Sequence, residues 1–171
     1  MRLGLAILIS LQGCGSAPQQ AQAIASDSTT RASAELAVHI AAIKAIVASD
    51  HPSVVLVVAS RAQWTSDPSA GGAWGLIWQD FLAHARASGP LEVLALDIPF
   101  QVVSGGHLLG QEVTDTVIIA LSSVGFSPSG DEAMVYVDVR CGTHCGVGSI
   151  QTFRRDGSVW VHVKSDTTSR R

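Results

Sequence analysis

The sequence predicts an α+β domain in which N-terminal helices pack on a C-terminal four-stranded antiparallel meander. Three observations predict it. Apolar residues in the first half recur at helical spacing, in residues 31–49 and again in 73–88. The last third switches to short β-branched runs with a period of two. Between two of those runs sits Asp156-Gly157, a tight-hairpin dipeptide. A chain of 171 residues is long enough for one domain with a real core.

Residues 31–49 read RASAELAVHIAAIKAIVAS. Leu36, Ile40, Ile43 and Val47 fall on one helical stripe, and the alanines favour the helix. Asp50-His51-Pro52 ends it, because a proline disfavours helix in the residue before it. Residues 53–58, SVVLVV, predict a short buried strand. Residues 63–72 read as loop, broken by Asp67-Pro68 and Gly71-Gly72. A second helix follows over 73–88, with Trp74, Ile77, Trp78, Phe81 and Ala85 on one face and Gly89-Pro90 as the stop. Trp74 and Trp78, at i and i+4, read as core rather than a ligand platform. Residues 91–97 and 100–103 are further short strands, and Ser104-Gly105-Gly106 breaks the chain again.

The meander starts with the apolar run 117–123, followed by a turn at Ser127-Pro128-Ser129-Gly130-Asp131. In residues 134–140, MVYVDVR, Val135, Val137 and Val139 alternate with Met134, Tyr136, Asp138 and Arg140, which predicts one buried face. The strands SIQTFRR and SVWVHVK flank Asp156-Gly157. A type I′ turn there sets Arg155 against Ser158, Arg154 against Val159, Phe153 against Trp160, Thr152 against Val161, and Ile150 against Val163. Ile150, Thr152, Val159, Val161 and Val163 then share a face, with Phe153 and Trp160 as an aromatic pair on the other.

Charge excludes one class of partner. The net charge is −3, and the only basic clusters are Arg154-Arg155 and Arg170-Arg171. Neither can track a phosphate backbone, so no nucleic-acid partner is expected.

The first fourteen residues are MRLGLAILISLQGC. Arg2 precedes an apolar run over residues 3–11, too short to span a bilayer, which takes about 20 residues. Leu11-Gln12-Gly13-Cys14 resembles the bacterial lipoprotein signal. That resemblance implies a thioether-linked diacylglyceryl group on Cys14, removal of the leader, and acyl chains such as palmitate anchoring the chain stably in a membrane. Gly15 rather than Asp after the cysteine implies the outer membrane, with the domain facing the periplasm. The expected organisation is a signal peptide over 1–13, a flexible tether over 14–30, a single domain over 31–165 and a flexible tail over 166–171.

With Cys14 assigned to lipid, Cys141 and Cys145 remain as an even pair in an oxidising compartment. They bracket CGTHCGVG, residues 141–148. A structural disulfide between them needs a tight curl, for which Gly142 and Gly146 can supply positive φ. Redox catalysis fits less well, since reactive pairs use a helix N-terminus and here the second cysteine leads into a strand. A metal site is the alternative, with Cys141, His144 and Cys145 as soft ligands for Cu(I) or Zn(II) and His162 as a fourth.

The stretch from residue 118 to 163 resembles a group of uncharacterised bacterial exported proteins and lipoproteins. The resemblance is carried by Val124-Gly125-Phe126, by the segment 133–137, by Cys141, Gly142, Cys145, Gly146 and Gly148, and by Asp156, Gly157 and Trp160. DFLAHARASGPL, residues 80–91, resembles an upstream helix of that group. It implies export and a shared C-terminal fold, and carries no activity with it.

No nucleophile elbow, phosphate loop or zinc-protease motif occurs. Asp97, Ser104 and His107 as a hydrolase set read as coincidence. His39 and His84 read as helix residues near a core edge, and His51 and His107 as loop residues. The expected function is a membrane-anchored lipoprotein with a binding or envelope-structural role, no catalytic residues and no cofactor, acting on a protein or small-molecule partner.

Overall fold

The computed structural model describes residues 28–50, 54–58, 61–62, 64, 75–85, 100–103, 116–141 and 146–170. They form α1 (Ser28–Asp50), β1 (Val54–Val58), α2 (Gly75–His84), β2 (Gln101–Val103), β3 (Thr116–Leu121), β4 (Gly125–Phe126), β5 (Glu132–Arg140), β6 (Gly146–Asp156) and β7 (Val159–Arg170). All seven strands join one mixed sheet in the order β2-β1-β3-β5-β6-β7, with β4 pairing β5.

The expected architecture is therefore corrected. The chain is not a pair of helices on a four-stranded meander. β1 pairs in parallel with both β2 and β3, while β3-β5, β5-β6 and β6-β7 are antiparallel. The valine run of β1 accounts for its position. Val55, Leu56 and Val57 are consecutive and all buried, the pattern of a parallel strand covered on both faces. One helix lies over each side of the sheet.

α1 covers the first face. Val38, Ala42, Ile43 and Ile46 pack on Val55, Val57, Val117, Ile119, Leu121, Val135 and Val137. Each fully buried Ile or Val there contributes on the order of 1.5–3 kcal/mol. The buried stripe of α1 runs Glu35, Val38, His39, Ala42, Ile43, Ile46. The expected stripe of Leu36, Ile40, Ile43 and Val47 is rotated from this. Only Ile43 belongs to both, because so many alanines leave the helix phase open. By length and composition Thr30–Ser49 would also pass for a membrane span.

α2 covers the second face. Ile77, Trp78, Phe81 and Ala85 pack with Trp64, Met134 and Ile150. Trp78 and Phe81 stack at 5.2 Å, and Trp64 meets Trp78, Phe81 and Tyr136 edge-on. Trp78 is thus a core residue, and Trp74 lies outside the described residues. β5 is covered on both sides, since Met134 is as fully buried as Val135 and Val137. This corrects the expectation of a single buried face.

The last hairpin turns one residue later than expected, which moves each partner on β7 by two positions. Asp156 pairs with Val159, Arg155 with Trp160, Arg154 with Val161 and Phe153 with His162. Gly157, at φ 59°, takes the left-handed conformation the tight turn requires. A bulge at Thr152/Phe153 then sets Thr152 against Lys164. Phe153 and Trp160 are both buried under α1, but as diagonal neighbours. Val159, Val161 and Val163 are exposed, not core. The expected tail from residue 166 is strand, as β7 continues to Arg170 and pairs with Val147.

Candidate functional site

β1 and β3 are parallel neighbours, so their carboxyl ends lie at the same end of the sheet. In sheets with parallel strands that end is where ligand sites form. The chain past β1 supplies Arg61 there, and the chain past β3 supplies Ser122 and Ser123. Ala62 N–H donates to the Leu121 carbonyl at 2.7 Å, which ties the two exits together. The N-terminal half of α1 lies over them and adds Glu35 and His39, one turn apart. Ala32, Glu35, Leu36, His39 and Arg61 line a small cleft.

The polar groups of this cleft are held in a network. Arg61 Nη1 donates to Ser123 Oγ at 2.7 Å. Its Nη2 lies 3.2 Å from Glu35 Oε1. That approach is off-axis, so Glu35 Oε1 is buried without an aligned hydrogen bond, and so is Arg61 Nε. Burial raises the Glu35 carboxyl above its ordinary range, against the opposing pull of Arg61 and then Arg31 and the Val124 amide.

His39 is committed elsewhere. Its Nε2 donates to the Ser122 carbonyl oxygen at 2.8 Å. The Glu35 carboxylate is 3.9 Å from the same nitrogen. Burial, helped by the Arg61 charge, lowers the imidazole to about 4 despite the opposing Ser122 contact. Ser122 Oγ donates to the Ser123 carbonyl at 2.7 Å and accepts from Tyr136 N at 3.0 Å. Glu35, His39 and Ser122 thus resemble an acid–base–nucleophile set in composition only. The histidine proton points at a main-chain carbonyl, and the serine proton is already donated.

A second polar junction holds the helices together. Asp80 on α2 accepts from Arg31 Nη2 at 2.9 Å and from Phe126 N at 2.7 Å. Arg31 also donates to the Val124 carbonyl at 2.8 Å and lies over the Phe126 ring at 5.2 Å. His84 Nδ1 meets the Asp80 carbonyl oxygen at 2.8 Å.

The residues singled out from the sequence fall differently. Cys14, His144 and Cys145 lie outside the described residues, as do Asp97, Ser104, His107 and His51. Cys141 is exposed just past β5 and is disulfide-bonded. Gly146 is extended backbone, opening β6 opposite Arg140, so the expected positive φ is not at this glycine. His162 is not brought to Cys141. It pairs with Phe153, which pairs with Ala133, seven residues along β5 from Arg140. That separation is about 23 Å. His162 instead sets its ring on Phe153 at 5.4 Å and reaches Ser165 Oγ at 2.9 Å. Among the described residues no group of three or more His, Cys, Asp or Glu side chains is placed to hold a metal.

Glu35 and Arg61 were not singled out from the sequence. The available signal was Glu35 and His39 at i, i+4 inside the alanine-rich α1. Compared with known proteins, the chain matches no family model, and no curated protein or solved structure matches it significantly.

Proposed function

We propose that this protein is a lipid-anchored bacterial envelope lipoprotein that binds a partner or ligand rather than catalysing a reaction. The observation that carries the reading is Leu11-Gln12-Gly13-Cys14 placed directly after the apolar run 3–11. Lipid on Cys14 holds the chain at the outer membrane, facing the periplasm. The tether then leads into the domain opened by α1.

The cleft at the carboxyl ends of β1 and β3 supports a binding role. Glu35 Oε1 and Arg61 Nε are a buried acceptor and donor without hydrogen bonds. Glu35 Oε1 keeps its ion pair to Arg61 Nη2; leaving Arg61 Nε unmet costs roughly 1–3 kcal/mol, which an ordered water or a small polar guest recovers. His39 and Ser122, the groups that acid–base chemistry would need, are tied to main-chain atoms.

The same proposal pairs Cys141 with Cys145. Arg140 and Gly146 are direct partners in an antiparallel ladder, where opposed Cα atoms lie about 4.5–5.5 Å apart. The two cysteines are the next residues inward, and the required separation is about 4.4–6.8 Å.

Membrane fractionation tests the anchor. Wild-type chain sediments with membranes, and Cys14→Ser shifts it to the soluble fraction or leaves it with its leader attached. A Cys14→Ser chain that is processed and sediments like wild type would refute the reading.

A further inference from the structure

We infer that β7 is a self-association edge, on which a second copy of this chain docks its own β7 antiparallel about a two-fold axis. β7 is the last strand in the sheet order, and among the described residues no strand pairs with its outer side. It runs from Val159 to Arg170, long for an edge strand. Val159, Val161 and Val163 are 61%, 47% and 52% exposed. Long β-branched edges are pairing templates unless a charge or a bulge guards them; β7 is irregular against β6 at Val163 and at Thr168, and the regular stretch left open to pairing is the one between them, Lys164 to Thr167.

The charges on β7 select the partner and the register. Lys164 and Asp166 follow each other on one face, with Lys164 Nζ 2.7 Å from Asp166 Oδ1. The lysine that would guard the edge is therefore matched within its own strand. A two-fold pairing centred on Ser165 sets Lys164 opposite Asp166 of the second copy, and Asp166 opposite its Lys164. The four charges then alternate in sign around the axis. Centring the pairing one residue either way sets Lys164 on Lys164 or Asp166 on Asp166, and a parallel in-register pairing does both. Like charges directly opposite are destabilising, so the antiparallel Ser165-centred register is the one favoured. It also lays Val163 beside Thr167, at the ends of that regular stretch. An isologous contact of this kind is self-complementary and closes as a dimer.

Cysteine cross-linking of the full chain in bacterial cells tests this. Ser165 sits on its own symmetry mate, where opposed Cα atoms are about 4.5–5.5 Å apart and within disulfide reach. Ser165→Cys is expected to give a disulfide-linked dimer as the major species on mild oxidation, with wild type as the blank. Val161→Cys alone gives none, since its two copies lie about 27 Å apart. In the Ser165→Cys background, Lys164→Asp or Asp166→Lys each lowers the dimer yield, and the double reversal restores it. A Ser165→Cys chain that resists protease like wild type yet stays monomeric overturns the proposal. So does cross-linking by Val161→Cys alone, or an adduct whose mass is not twice that of the chain. If Ser165→Cys itself fails to fold, the Val163→Cys and Thr167→Cys mixture decides in the same way.

Discussion

His39 donates its Nε2 hydrogen to the Ser122 carbonyl oxygen across 2.8 Å, joining the middle of α1 to the end of β3. Burial holds this imidazole at about 4 instead of 6.5. Between those values the unfolded chain takes up a proton that the folded chain does not, so stability rises with pH in that window. The contribution is complete above 6.5 and is lost as pH falls toward 4. It amounts to about 3 kcal/mol at full size. Glu35 acts in the opposite sense. Its carboxyl is raised above 4.5, so its contribution is largest at low pH and is lost as pH rises through the raised value. Urea unfolding across this pH range is expected to show the acid-side loss, and His39→Gln is expected to flatten it.

The Asp80 junction predicts a stability loss that depends on charge. Asp80 accepts from both Arg31 and Phe126 N and is partly buried. Asp80→Ala leaves both donors without that acceptor and is expected to cost about 2 kcal/mol. Asp80→Asn keeps an acceptor for Phe126 N and is expected to cost less. Thermal unfolding of the two variants measures the difference.

Gly125 predicts a steric effect. A Cβ built there would fall 2.5 Å from Phe81 Cα and 2.6 Å from Phe81 N, on the backbone of α2. The helix would have to move off β4. Gly125→Ala is expected to lower stability by about 1–3 kcal/mol, read as a drop in the denaturant midpoint. An unchanged midpoint would show that α2 does not sit this close to β4.

The cysteine pairing proposed for the β5–β6 connection predicts a smaller loss. A bridge between Cys141 and Cys145 closes a five-residue loop, worth about 2 kcal/mol in the chain-entropy model. Cys145→Ser is expected to lower stability by that amount and to expose one free thiol on Cys141. Thiol titration of the unfolded, unreduced variant checks it.

Local patterns were legible in this sequence, and the pairings between distant segments were not. Residues 54–58 announced a buried strand through an unbroken β-branched run. Nothing in that run says which strands flank it, and its parallel partners come from segments 43 and 58 residues or more away. Asp156-Gly157 marked a turn, but Asp156 turned out to be a paired position. Turning one residue later moves each β7 partner by two positions, which keeps the faces: Phe153 and Trp160 still share the side under α1, and Val159 and Val161 lie on the opposite, exposed side. On α1 the alanines gave helix and hid the face. The stripe is decided by Glu35 and His39 finding partners on Arg61 and Ser122, which are remote in sequence.

The proposed anchor at Cys14 is the centre of the functional reading, and the mass of the mature chain tests it most directly. The protein is extracted from bacterial membranes and its N-terminal peptide is analysed by mass spectrometry. The expected peptide begins at Cys14 and carries a diacylglyceryl group on sulfur. A mature chain that begins elsewhere, or a peptide with an unmodified Cys14 thiol, would contradict it.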